Sequence, residues 1–244
     1  MSKGHLRQIL LITDGCSNKG EDPVAVATLA REQGIVVNVI GVVDDGKSAL
    51  AGIQEVEDIA MAGGGISQIV RAKQLKQTVQ MVTRQAMTQT IKSVINKELQ
   101  HILGDDETIE DLPPEKRGQV MEVVDELGET VDLEVCILVD TSASMERKLP
   151  TVQEALLDLS ISLNSRMGSN RFCLYTFPGK RKAADKILTW TPDMSSIHSV
   201  FSKLASGGVT PTGPALREAI MSFSKLAKRS RMDHADTFTE ESGV

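Results

Sequence analysis

The stretch that decides the fold is Leu133-Glu134-Val135-Cys136-Ile137-Leu138-Val139-Asp140-Thr141-Ser142-Ala143-Ser144. Its first seven residues form a nearly continuous apolar run, which is typical of a strand buried on both faces of a parallel sheet. Asp140 ends this run, and Ser142 and Ser144 follow it at alternate positions. The stretch therefore predicts a buried strand that presents one carboxylate and two hydroxyls at its carboxyl end.

A second strand of this kind is predicted over residues 6–13, and it also ends in a carboxylate, that of Asp14. After the turn at Gly15, Asp22 can cap a helix that has Pro23 at its first position. The elements that follow are a strand over 35–43, a helix over 46–62 and a short edge strand over 66–70. This alternation predicts an α/β fold, a Rossmann-like open and mostly parallel sheet with helices on both faces.

The middle of the chain has a different pattern, because its apolar residues recur at helical spacing from about residue 71 to 103. A shorter helix is predicted over 115–128. We expect the apolar stripe of the long helix to pack on its own domain. The alternative is that this stripe forms the interface of a dimer. The remaining predicted elements are a helix over 149–167, a strand over 171–177, an antiparallel edge strand over 183–190, and helices over 195–204 and 214–228.

Composition excludes several classes of function. The chain has 244 residues and a formal net charge of -6, so it lacks the excess of positive charge that is typical of proteins that bind nucleic acid. No apolar run approaches the roughly 20 residues that a membrane span requires. The three cysteines, Cys16, Cys136 and Cys173, lack paired spacing and are expected to be reduced. We therefore expect a cytoplasmic protein with no membrane or nucleic-acid partner.

Three polar elements are expected to meet at one edge of the sheet. Asp140, Ser142 and Ser144 form D-x-S-x-S, Thr210 lies in a glycine-rich loop over 207–213, and Asp14 follows the first strand. Taken singly, they are also typical of a serine-rich turn, a flexible loop and a strand-ending turn. Together they supply hard oxygen donors at the carboxyl ends of strands, where open α/β sheets bind ligands and where Mg²⁺ finds suitable partners.

This combination resembles the metal-ion-dependent adhesion site of von Willebrand factor A domains. The resemblance implies that Mg²⁺ or Mn²⁺ is held by the hydroxyls of Ser142, Ser144 and Thr210. It also implies that Asp140 and Asp14 bind the ion directly or through water, and that a Glu or Asp carboxylate of a partner protein completes the shell. The implied function is a divalent-cation-dependent protein–protein interaction module rather than an enzyme.

The order of the motifs departs from that family, in which the aspartate motif follows the threonine loop. Here Asp14 precedes Asp140, so a circular permutation is predicted: residues 131–244 form the first half of the domain, residues 1–70 the second, and 71–130 a helical connector. The chain would then be a monomer, whereas a domain-swapped dimer, or two incomplete domains of a longer protein, are the alternatives. As a whole, the chain also resembles the YabS-type proteins of spore-forming bacilli.

Two further functional hypotheses remain open. A serine-dependent hydrolase could use Ser142 or Ser144, but neither lies in a G-x-S-x-G motif, and no histidine is evidently placed as the general base. A metal-independent scaffold is the other, and it would keep its function when all five site residues are changed to alanine.

Overall fold

The computed structural model describes residues 5–43, 50–103, 108–197, 201 and 207–240. Most of the predicted helix over 195–204 and the first residues of the predicted helix over 46–62 lie outside the described residues. Within them, no helix combines the length and the apolar character that crossing a membrane requires.

The described strands form one six-stranded sheet. They are β1 (His5–Thr13), β2 (Ile35–Val43), β3 (Gly64–Arg71), β4 (Asp132–Asp140), β5 (Asn170–Phe177) and β6 (Asp185–Thr191). Their order is β3-β2-β1-β4-β5-β6; all neighbours are parallel except β6, which is antiparallel to β5. The predicted Rossmann-like, mostly parallel α/β sheet is therefore confirmed, and so is the antiparallel edge strand.

Helices cover both faces of this sheet. They are α1 (Pro23–Glu32), α2 (Leu50–Ala62), α3 (Leu75–Leu103), α4 (Pro114–Thr130), α5 (Leu149–Asn164) and α6 (Thr212–Glu240). Side chains of alternate β1 residues lie on opposite faces of the sheet. Leu10 and Ile12 pack in a core with α3, α4 and α5. Ile9 and Leu11 pack in a second core with α1, α2 and α6. This is the pattern of a strand buried on both sides.

The long helix α3 belongs to one of these core layers. Its residues Leu75, Val79 and Val82 are fully buried, and the helix contacts α5, β2 and β3. The expectation that its apolar stripe packs on its own domain is therefore confirmed from Leu75 to Ile91, whereas Ile102, near the end of the helix, is exposed. Helix α6 runs farther than predicted, to Glu240 instead of residue 228, because residues 229–240 contain no glycine or proline that would end a helix.

The pairing of β1 with β4 determines where the candidate site lies. The two strands are parallel neighbours with Ile12 opposite Val139, although they are more than a hundred residues apart in sequence. Their carboxyl ends therefore meet: Asp140 is the last residue of β4, and Asp14 directly follows the end of β1.

Candidate metal site

Asp140 is the most deeply buried acidic residue of the site, with no exposed surface. Its Oδ1 accepts a hydrogen bond from the backbone N–H of Ser142 at 2.7 Å, and its Oδ2 accepts one from the hydroxyl of Thr13 at 2.8 Å. Burial raises the pKa of the Asp140 carboxyl, these donors oppose that rise, and the negative charge of Asp14 adds to it. Within the described part of the chain, the Asp140 carboxylate is thus held by uncharged donors only, in surroundings that disfavour its charge.

The two serines connect Asp140 to Asp14. The hydroxyl oxygens of Ser142 and Ser144 lie 3.2 Å apart, and the Ser144 hydroxyl donates to Asp14 Oδ1 at 2.8 Å. Asp14 belongs to the loop after β1 and both serines to the loop after β4. The hydroxyls of Ser142 and Ser144 and the carboxylate of Asp14 therefore form a row of oxygens, and the backbone N–H of Ser142 joins Asp140 to it.

Thr210 is buried at the border of this row. Its backbone N–H donates to Asn18 Oδ1 at 2.8 Å, and its carbonyl accepts from the backbone N–H of Asn18 at 3.1 Å. On the other side of the loop, the backbone N–H of Gly207 donates to the Thr141 carbonyl at 3.0 Å. These bonds fasten the glycine-rich loop to both aspartate loops. Among the described residues, the Thr210 hydroxyl makes no hydrogen bond to the other four candidate ligands.

The loop after β1 is also packed tightly against the start of α6. A Cβ atom added to Gly213 would lie 2.1 Å from the backbone carbonyl oxygen of Glu21. Gly20, with a φ of +92°, lies against Pro214 in the same way. Two glycines therefore allow a close approach that positions the Asp14 loop beside the Thr210 loop.

Lys148 is the residue at this site that sequence reasoning missed. Its Nζ lies 2.5 Å from Asp14 Oδ2, and the side chains of Lys148 and Asp14 are only 5 % and 1 % exposed. The local sequence does not distinguish Lys148 from Glu146 and Arg147, which also lie between Met145 and Leu149. A lysine is almost never fully buried unless it has a partner. Thr13 and Asn18 were missed as well.

A cavity of about 140 Å³ adjoins the ion pair. Asp14, Ser144 and Lys148 contribute polar side chains to its lining. The rest of the lining is mostly apolar and includes Val42, Val43, Ile53, Val56 and Ile69. The cavity gives a small ion or a water molecule room beside Asp14.

The donor set fits a magnesium ion in chemistry, because hydroxyl and carboxylate oxygens are the ligands that Mg²⁺ prefers. The separations of 3.2 Å between Ser142 and Ser144 and of 2.8 Å between Ser144 and Asp14 are those of hydrogen bonds. Within the described part of the chain, however, no group of three or more His, Cys, Asp and Glu side chains is arranged to hold a metal ion. Any ion would depend on hydroxyls and water for the rest of its shell.

The fold and the site together define the class of the protein: an α/β protein with a mostly parallel sheet and an oxygen-rich site at the carboxyl ends of two central strands. No protein-family model matches the chain. It is 60% identical over 232 residues to the uncharacterized protein YabS of Bacillus subtilis (strain 168), with 95% of each chain covered. The chain therefore belongs to the YabS family.

One solved structure agrees on the fold. A crystal structure of an uncharacterized protein from Alicyclobacillus acidocaldarius subsp. acidocaldarius DSM 446 is 42% identical, with a TM-score of 0.85, and the match covers 93% of this chain and 97% of that one. Proximal thread matrix protein 1 from the mussel byssus also matches, at 16% identity and a TM-score of 0.30, over 87% of this chain and 46% of that chain. At that TM-score the second likeness carries no argument.

Proposed function

We propose that this chain is a divalent-cation-dependent protein–protein interaction module. Asp140, Ser142, Ser144, Thr210 and Asp14 would hold Mg²⁺ or Mn²⁺ directly or through water, and the ion would bind a Glu or Asp side chain of a partner protein. The observation that carries the proposal is the row of oxygens from Ser142 through Ser144 to Asp14, with Asp140 joined to it by the backbone N–H of Ser142. When bound, the ion would supply a positive charge that attracts an incoming carboxylate.

The strand order supports the interpretation as a permuted von Willebrand factor A domain. The D-x-S-x-S strand β4 lies directly beside the aspartate strand β1, as a shared site requires. If residues 131–240 are read before residues 5–71, the strands follow one another as β4, β5, β6, β1, β2 and β3. In that order the threonine loop precedes the aspartate, which is the order of the family that the motifs resemble.

A metal-independent scaffold is the second candidate, and one observation favours it. The Lys148 ammonium already neutralises Asp14, so the site can be occupied by a cation of the chain itself. Serine catalysis has less support. Among the described residues, the hydroxyls of Ser142 and Ser144 contact each other and Asp14, and neither contacts a histidine.

Isothermal titration calorimetry of Mg²⁺ and Mn²⁺ tests the proposal, with the mass of each sample determined by light scattering. The wild-type chain is compared with Asp140→Ala and, as a matched control, with Asp125→Ala, which removes an exposed carboxylate of α4. We expect saturable binding in the wild type and the control, and a loss of at least a hundredfold in affinity in Asp140→Ala. If the folded wild type binds neither ion, the metal-independent scaffold becomes the better interpretation.

A further inference from the structure

Both oxygens of Asp14 are engaged in the structure. Oδ1 accepts from the Ser144 hydroxyl at 2.8 Å, and Oδ2 lies 2.5 Å from the Lys148 ammonium. Because both charged side chains are almost fully buried, water screens this ion pair very little. Lys148 is therefore a fixed cation of the site and not a mobile surface charge.

The same ion pair obstructs a metal ion in two ways. The ammonium takes an oxygen that a direct metal ligand would need, and its charge repels a second cation within about 4–6 Å. Asp140 differs, because the described hydrogen bonds to it come only from Ser142 and Thr13. The site thus has one carboxylate that is ready for a cation and one that is already neutralised.

We propose that Lys148 competes with the divalent cation for Asp14 and thereby limits the affinity of the site. This inference rests on the proposed function, since it concerns the same ion. A cation that binds through Asp14 has to displace the ammonium, or reach the carboxylate only through water. The competition makes Lys148 a residue that determines affinity, although it is not itself a metal ligand.

The test is a double-mutant cycle in which Mg²⁺ and Mn²⁺ are titrated by calorimetry into the wild type, Lys148→Met, Asp14→Asn and the double variant Asp14→Asn/Lys148→Met. Competition predicts that Lys148→Met binds Mg²⁺ at least about tenfold more tightly than the wild type, which corresponds to about 1.4 kcal/mol. The gain in Mg²⁺ affinity from Lys148→Met should be smaller in the Asp14→Asn background, because that background has no carboxylate for the ammonium to release. If Lys148 only repels the ion from a distance, Lys148→Met should raise the Mg²⁺ affinity by the same factor with Asp14 and with Asn at that position.

Folding has to be monitored separately, because Lys148→Met leaves Asp14 buried without its ammonium. Lys148→Gln, which keeps a neutral hydrogen-bond donor, is the second variant. The thermal midpoint with and without Mg²⁺ gives a readout that does not depend on calorimetry. We expect the Mg²⁺-induced rise in Tm to be larger in both Lys148 variants than in the wild type, because tighter binding to the folded state stabilises it more.

The outcomes separate this inference from the proposed function. If the wild type binds Mg²⁺ and both Lys148 variants bind with equal or lower affinity, the competition is refuted and the metal-dependent module stands. If the wild type does not bind but Lys148→Met does, and adding Asp140→Ala abolishes that binding, the competition is supported and the wild-type site is not a metal site. If none of the folded proteins binds, both ideas are overturned.

Discussion

The carboxyl ends of β1 and β4 each present a buried carboxylate, and the two are stabilised by different means. Asp140, the last residue of β4, receives hydrogen bonds from a backbone N–H and a hydroxyl, and burial raises its pKa. Asp14, after β1, is paired with the ammonium of Lys148. Among the described residues, Lys148 is thus the counter-charge of Asp14, whereas the hydrogen-bond donors to Asp140 are uncharged.

The difference also shows how the two chain halves depend on each other. Lys148, which neutralises Asp14, lies after β4 in the chain, and Thr13, which donates to Asp140, is the last residue of β1. The segment around each strand end therefore supplies a partner for the carboxylate at the other strand end. The four predictions below test this reciprocal arrangement, beginning with the change expected to have the largest effect.

Lys148→Met should destabilise the metal-free protein by about 3–5 kcal/mol, because it leaves the Asp14 carboxylate buried without its counter-charge. Urea unfolding in the presence of a chelator measures this loss. The double variant Asp14→Asn/Lys148→Met should recover most of the stability, since it removes both charges together. A loss below about 1 kcal/mol in the single variant would mean that water reaches the pair and screens it.

Gly213→Ala should destabilise the protein by about 1–3 kcal/mol, because the new methyl group would collide with the backbone carbonyl of Glu21. Backbone atoms cannot move aside as a flexible side chain can, so the loop after β1 would have to shift away from α6. Gly118→Ala is the matched control: its Cβ would meet nothing within 4 Å, and alanine favours the helix α4. Equal unfolding free energies in the two variants would contradict this packing.

The pH dependence of stability should report the burial of Asp140. Because its pKa is raised by burial, Asp140 in the folded chain keeps its proton at pH values at which the unfolded chain has lost it. In a chelator, the free energy of unfolding should therefore fall as pH rises from the ordinary Asp range to the raised pKa, and this contribution should then level off. Asp140→Asn should lack this slope. An identical pH profile in the variant would show that Asp140 does not titrate differently in the folded chain.

Asn18→Ala should have the smallest effect, a loss of about 0.5–1.5 kcal/mol, because it removes the side-chain acceptor for the Thr210 N–H. Asn18→Asp keeps an acceptor in that position and should remain close to the wild type in chemical denaturation. If the two variants behave alike, the side chain of Asn18 does not hold the loops together.

Local sequence was sufficient for the elements and for most of the candidate ligands. Residues 133–139 were recognisable as a buried strand because continuous apolar runs of that length suit a strand covered on both faces, and β4 spans Asp132–Asp140. The carboxyl end of such a strand marks where a ligand site forms, so Asp140, Ser142 and Ser144 could be named from their spacing. Asp14 could be added because strand-ending positions of one parallel sheet meet at the same edge.

Only the tertiary structure decided which partners these residues have. The ion pair of Lys148 with Asp14 joins residues 134 positions apart, and the bond from Thr210 to Asn18 joins residues 192 apart. Periodicity and turn chemistry extend over a few residues, whereas contacts at such separations depend on the pairing of β1 with β4 and on the close approach of α6. The sequence by itself thus determined the fold class and where the carboxylates lie, and the packing of the two halves decided that one carboxylate is neutralised by a buried lysine and the other is not.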